Sequence, residues 1–170
     1  MKYIFFIFFF FTFLLGCNRD EIVFVQPWGS VLVKFNGVGK QFVPYSVEYE
    51  GLMDIILNCS KCDNNIDYDL SFSNIRIEEY KIDTLNSYSA GTTQEYASLF
   101  SLFGGDVIGA GYSLLSNEKN FLEITYWNPI TDEVKGKFQV SFIRDANFTS
   151  ASGLDTVRYM NGEFHTRIIR

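Results

Sequence analysis

The sequence predicts an all-β fold, a single antiparallel β-sandwich or barrel domain behind an N-terminal signal peptide. Three observations carry that expectation. The chain is rich in aromatic residues, with 18 Phe and 10 Tyr, which favour strands over helices. Apolar and polar residues alternate along Val31-Leu32-Val33-Lys34-Phe35 and along Phe138-Gln139-Val140-Ser141-Phe142, the period of a strand with one wet face. Short turn-forming links such as Asn36-Gly37 separate the runs, and short connections make antiparallel neighbours.

The chain opens with Lys2 as a positive n-region and Tyr3 to Phe13 as an apolar h-region. Gly16 is the small residue a signal peptidase needs beside its cut. The apolar run gives way to Asn18-Arg19-Asp20-Glu21 before it reaches the roughly 20 residues of a spanning helix. Leu14-Leu15-Gly16-Cys17 resembles the lipobox of bacterial lipoproteins. The resemblance implies a thioether diacylglyceryl group on Cys17, cleavage between Gly16 and Cys17, and an acylated new N-terminus. Several acyl chains on one residue anchor stably, where one chain holds only marginally. Asn18 stands at the position where aspartate resembles an inner-membrane retention signal, so the expected site is the outer membrane. Asp20-Glu21 resembles the acidic export signal of Bacteroidota surface lipoproteins, and a periplasmic and a surface-exposed orientation both stay open.

These signals divide the chain into a leader at 1–16, a lipidated tether at 17–30 and a β domain at 31–170. Val23 to Val25 adds a candidate edge strand within the tether. Val31 to Phe35 is the first strand of the domain, and Asn36-Gly37 turns it into a return strand over Gln41 to Glu50, with Pro44 marking an edge or bulge. Leu52 to Asn58 runs into the turn-forming stretch Cys59 to Asn65, the expected hairpin tip. Tyr68, Leu70 and Phe72 share one phase while Ile75 and Ile77 take the other, which requires a bulge near Ser73-Asn74. Tyr80 to Leu85 is a further candidate strand. Thr93 to Phe103 fits either a helical face of Tyr96, Leu99, Phe100 and Phe103 or a loop and short strand. Asp106 to Leu115, Phe121 to Trp127, Val134 to Arg144, Thr156 to Met160 and Glu163 to Ile169 then read as successive strands, the last two separated by Asn161-Gly162.

A strand into Asn36-Gly37, a later strand opening at Gly136-Lys137-Phe138, and Asn161-Gly162-Glu163-Phe164 near the end together resemble a group of small Bacteroidota lipoproteins of unknown function. That resemblance covers residues 31 to 169 and implies a β-rich fold without a known activity.

Composition narrows the function classes. A net charge of −6 with Lys and Arg scattered singly argues against nucleic acid, which is bound largely by phosphate neutralisation. The Cys59-x-x-Cys62 pair lacks the helix N-terminus that activates a redox thiol, so outside the cytoplasm it reads as a disulfide clip. A structural zinc needs about four ligands, more than one histidine and this pair supply. Asp63, Asn65 and Asp67 follow calcium-loop spacing, but Tyr68 replaces the sharp-turn glycine and Asn74 the bidentate glutamate; a looser site from Asp63, Asp67 and Asp69 competes with a solvated acidic loop. His165, the only histidine, lies in a strand without a recognisable nucleophile elbow. Gly109-Ala110-Gly111 lies inside a strand pattern rather than at a strand-to-helix phosphate cradle. Tyr126-Trp127-Asn128-Pro129 places aromatics at a loop for stacking on a sugar or apolar ligand.

The expectation is a membrane-anchored, non-catalytic β domain that binds a protein partner or small ligand, with Cys17 as the lipid attachment and Cys59 and Cys62 as the disulfide. It includes no catalytic residue, metal or cofactor. The alternatives are a barrel carrying a lipid-like ligand and an envelope hydrolase.

Overall fold

A computed structural model of the chain describes residues 28–63, 66–76, 81–82, 85–87, 94–103, 107–147 and 153–170. The leader, Cys17, the Val23 to Val25 segment and Ile77 lie outside the described residues. Among the described residues eleven strands form: β1 (Gly29–Phe35), β2 (Val38–Tyr49), β3 (Leu52–Asp63), β4 (Ile66–Arg76), β5 (Lys81–Ile82), β6 (Asn86–Ser87), β7 (Tyr96–Phe103), β8 (Val107–Leu114), β9 (Phe121–Asn128), β10 (Glu133–Arg144) and β11 (Thr156–Ile169). The first begins at Gly29, inside the stretch the sequence assigns to the tether.

The pairings close on themselves. β1 pairs with β2, β2 with β3, β3 with β4, β4 with β7, β7 with β8, β8 with β10, β10 with β11, and β11 returns to β1. All of these contacts are antiparallel, so eight strands make a barrel wall. β9 continues below β8 along the same edge of β10, and residues 115–120 bulge out between them. Asn120 patches the break: its amide oxygen accepts from the Ser141 backbone N–H at 2.8 Å, and its nitrogen donates to the Leu115 carbonyl at 2.8 Å. Outside the ring, β5 pairs with β9 and β6 runs parallel to β7.

An eight-stranded barrel is just wide enough for its own side chains to fill, and here aromatic rings fill it. Tyr68, Phe72, Phe138, Phe142 and Tyr159 are fully buried. Phe35 packs 5.3 Å from both Tyr68 and Tyr159, and Phe72 packs 5.2 Å from Phe138. The outer wall carries Lys34, Lys137, Glu163 and Arg167 in exposed positions. This is the reverse of a membrane-spanning barrel, whose lipid-facing wall is apolar.

Turn chemistry explains the local boundaries. Asn36 and Gly37 both take positive φ, 46° and 85°, the two-residue turn whose twist matches the flanking strands. Pro44 stands where β2 has left β1, which it pairs with through Phe42, and has not yet met β11 at Ser46. The phase change in β4 is a bulge at Ser73-Asn74, with Asn74 at φ 60°. Within the ambiguous stretch Thr93 to Phe103, whose first residue lies outside the described ones, Tyr96–Phe103 is strand β7, because β4 and β8 pair along both of its edges.

Two expectations are corrected. Asn161-Gly162 does not separate two strands: β11 runs through it as one strand of 14 residues. Asn161, at φ 52°, makes a bulge instead, and the register slips opposite it on both β1 and β10. Gly162 is required by close approach, since a Cβ there would run into the Phe138 ring. Cys59 to Asp63 is likewise not a hairpin tip but the continuation of β3.

The barrel has two ends. The tether end gathers the start of β1, the end of β11, the β2–β3 turn and the β9–β10 turn; the far end gathers the Asn36-Gly37 turn and the strand ends at Asp63, Ile66, Phe103, Val107, Arg144 and Thr156.

Candidate functional site: a split in the barrel wall

Along a regular strand, residues i and i+3 point to opposite faces. Cys59 and Cys62 nevertheless both point inward and are both buried, because β3 contains a bulge. Lys61 takes φ 53°, and the register with β4 slips between Cys59 and Asp63. Between Cys59 and Asp63 β3 carries two more residues than β4 does; this irregularity sets Cys62 on the face of Cys59, and the two are joined as a disulfide with Cα atoms 5.6 Å apart. Asp67 fixes the bulge by accepting the Lys61 backbone N–H at 2.5 Å.

The bulge has a consequence for the wall. β2 and β3 pair only from Val43 opposite Asn58 towards the tether end. Beyond that point residues 38–42 of β2 stay with β1, residues 59–63 of β3 stay with β4, and among the described residues no strand ladder spans the gap. An open groove of about 620 Å³ fills the split, lined by Lys40, Gln41, Val43, Tyr45, Asn58 and Ser60 together with Phe42 and the disulfide. That volume falls within the range of ligand sites. Its walls mix apolar and hydrogen-bonding groups, and Val43 is half exposed. Asn58 donates to the Asp69 carboxylate on the neighbouring strand. Burial pushes the Asp69 carboxyl above its ordinary value, a shift the Asn58 bond opposes and the Asp67 charge reinforces. Burial, and next the Asp69 charge, likewise raise the Tyr45 phenol.

Inside the same end lies a hydroxyl cluster of Tyr68, Ser101, Tyr112 and Tyr159. Leu154 straps it, donating its backbone N–H to the Tyr68 phenol at 3.1 Å, and Arg144 pairs with Asp155 just beyond. The Tyr112 hydroxyl lies near those of Tyr68 and Ser101, yet the Ser101, Tyr112 and Tyr159 hydroxyls have no partner of good hydrogen-bond geometry. Burial is the first cause raising all three phenols. They remain neutral at physiological pH, so the cluster offers hydrogen bonds rather than acid–base chemistry.

The other predicted residues lie elsewhere. His165 is on the outer wall at the tether end, bonded through Nε2 to Glu133 at 2.6 Å and met edge-on by Trp28 at 4.8 Å. Its partner comes from β10, the preceding strand, whose register against β11 the sequence does not reveal. Asp63, Asp67 and Asp69 form no metal-binding group, and no trio of ligating side chains gathers among the described residues. Gly109 lies in a bulge of β8, where a Cβ would stand 2.7 Å from the Phe103 ring. Tyr126 and Trp127 take opposite faces: Tyr126 is exposed, whereas Trp127 packs on the core. The wall split and the hydroxyl cluster were not anticipated. The phase change across Cys59-x-x-Cys62 is the signal that announces the split.

No family model, curated protein or solved structure matches the chain.

Proposed function

We propose that the protein is an envelope lipoprotein, anchored through acylated Cys17, whose barrel is a non-catalytic binding domain. Its site is the split between β2 and β3, and its ligand is an extended segment of a protein partner. The split carries this reading: two strand edges that leave each other's ladder face across a groove of about 620 Å³. Unpaired strand edges are ready templates for another strand, and strand addition supplies main-chain hydrogen bonds while flanking side chains select the sequence. The free edge of β2, residues 38–42, is about 17 Å long at a strand's rise per residue, enough for a short segment. A lipid carrier needs a hollow interior, and the close-packed rings weigh against it. A hydrolase needs a positioned nucleophile and base, and the hydrogen bond of the only histidine goes to Glu133.

The anchor is tested by fatty-acid labelling of wild type and Cys17→Ser: label is expected on the first and none on the second, and label on both removes the lipobox reading. The site is tested by a photo-cross-linking residue placed at Gln41, at Ser60 or at Lys137 on the outer wall, in cells of the protein's own host. Adducts to one partner segment from Gln41 and Ser60, and none from Lys137, are the expected outcome. Identical adducts from all three positions, or none from any, reject the split as the site.

A further inference from the structure

The residues at the tether end fit a bilayer surface. Ile130, at the tip of the β9–β10 turn, is 91% exposed. The turn holds it there rigidly, because the Asn128 side chain accepts the backbone N–H groups of Ile130 at 2.9 Å and Thr131 at 3.4 Å, the closure Asn side chains give to turns. Trp28 and Tyr126 are the exposed aromatics nearby, at 39% and 41%. Each carries a cation: the Arg167 guanidinium lies 4.5 Å from the Trp28 ring centre, and the Lys135 ammonium 5.1 Å from that of Tyr126. Amphipathic rings beside Lys and Arg are the side chains that settle at the membrane–water boundary.

Charge at this end suits the same surface. Lys135 pairs with Glu133 at 3.1 Å, and Arg170 reaches Glu48 at 3.0 Å and Asp132 at 2.9 Å. With Arg167 added, three cations face four carboxylates once the exposed Glu50 of the β2–β3 turn is included, a small share of a net charge of −6, so anionic headgroups are repelled only weakly at this end. On the lipoprotein reading, the connecting chain keeps this end within reach of the bilayer. Trp28 comes eleven positions after Cys17, so even fully extended the link spans at most about 40 Å.

We infer that the tether end is a second membrane contact, with Trp28, Tyr126 and the Ile130 tip seated in the headgroup region of the bilayer that holds Cys17. The inference rests on the lipoprotein reading. It stands the barrel upright and turns the β2–β3 split away from the membrane.

The test uses the full acylated protein in vesicles of phosphatidylethanolamine and phosphatidylglycerol with dibrominated acyl chains, against the same vesicles without bromine. Intact mass first establishes acylation; a chain without lipid defeats the lipoprotein reading itself and the inference with it. With the lipid present, bromine is expected to quench the tryptophan fluorescence, and Trp28→Phe, which leaves only the core-packed Trp127, to abolish most of that quenching. Ile130→Asp is expected to lower it by about half or more, as a charge drives the tip out of the headgroups. An acylated protein with no quenching, or with quenching unchanged in Ile130→Asp, overturns the inference. So does vesicle-dependent protection from hydrogen exchange at Val107 and Ile108, which are exposed at the far end, in place of the residues around Ile130.

Discussion

The two ends of the barrel are built from the same strands and hold together by different means. The far end combines groups taken out of water, a disulfide, interior phenols and a strap bonded to Tyr68, with two ion pairs towards its rim, Arg144 with Asp155 and Arg158 with Glu118. The tether end is closed by ion pairs on its outer wall, Glu133 with Lys135 and His165, and Arg170 with Glu48 and Asp132. Surface ion pairs of this kind contribute about 0–1 kcal/mol each, whereas buried hydroxyls and backbone bulges are sensitive to single atoms. On the proposed reading, the partner enters the wall at the far end, beside the buried groups, and the membrane meets the end whose outer wall carries the ion pairs.

The largest effect lies between the two ends. Phe138 is fully buried, packs on Phe72 and roofs Gly162. Phe138→Ala is expected to cost about 3–5 kcal/mol in chemical denaturation and to take both ends down in one transition; two separate transitions would mean that the ends are independent units. Reducing the Cys59–Cys62 clip comes next, at about 2 kcal/mol for so short a loop. The loss should be confined to the far end, so a shift of the Trp28 and His165 resonances on reduction would break the distinction. Smaller still is a contrast between two phenols. Tyr68→Phe strands the Leu154 N–H and should cost about 1–3 kcal/mol, while Tyr159→Phe removes a buried hydroxyl without a well-formed bond and should be neutral or slightly stabilising. Equal losses would show that the cluster is bonded throughout.

Alkali separates the two ends where acid does not. The phenols of Tyr68, Tyr112 and Tyr159 are raised above the ordinary value of 10.0 by burial. The unfolded chain therefore releases protons that the folded one keeps, and stability is full below about pH 10 and falls as pH rises above it. The Glu133 carboxyl is held below its ordinary 4.5, first by Lys135 and then by His165. Its contribution is present above that value and is lost as pH falls through the lower folded one. The Glu118 carboxyl, lowered first by its bond to Arg158, responds to acid in the same direction near the Asn36 turn, so the contrast is read in alkali: far-end reporters are expected to lose structure before tether-end reporters, by residue-resolved NMR. The acid effect is the smallest of the four, because its charges are exposed.

The same physical rule was legible in one place and overlooked in another. In β4, inward Tyr68, Leu70 and Phe72 give way to inward Ile75, and that change of phase identifies the bulge at Asn74. In β11, inward Val157 and Tyr159 give way to inward Gly162 and Phe164, the same signal, but the turn propensity of Asn-Gly masks it. In β3 the turn-forming residues around Lys61 hide a third bulge. Ring closure is out of reach of local pattern altogether. β1 meets β11 across more than a hundred positions, and nothing in either strand's alternation names its partner. The Glu133–His165 bond joins consecutive strands across a connection whose length sets no register in advance. The split likewise lies between consecutive strands, and only the phase change across Cys59-x-x-Cys62 marks where β2 and β3 cease to pair.

Whether that split exists in solution is the most direct question. Backbone hydrogen exchange, read residue by residue on the full chain, compares two stretches of the same strands. Amides within 38–42 and 59–63 that face the groove should exchange markedly faster than those of 43–49 and 52–58, which the β2–β3 ladder covers. They should slow when the cross-linked partner segment is bound. Uniform protection along β2 and β3 would mean that the two strands pair to their ends, and that the barrel has no opening for a partner to enter.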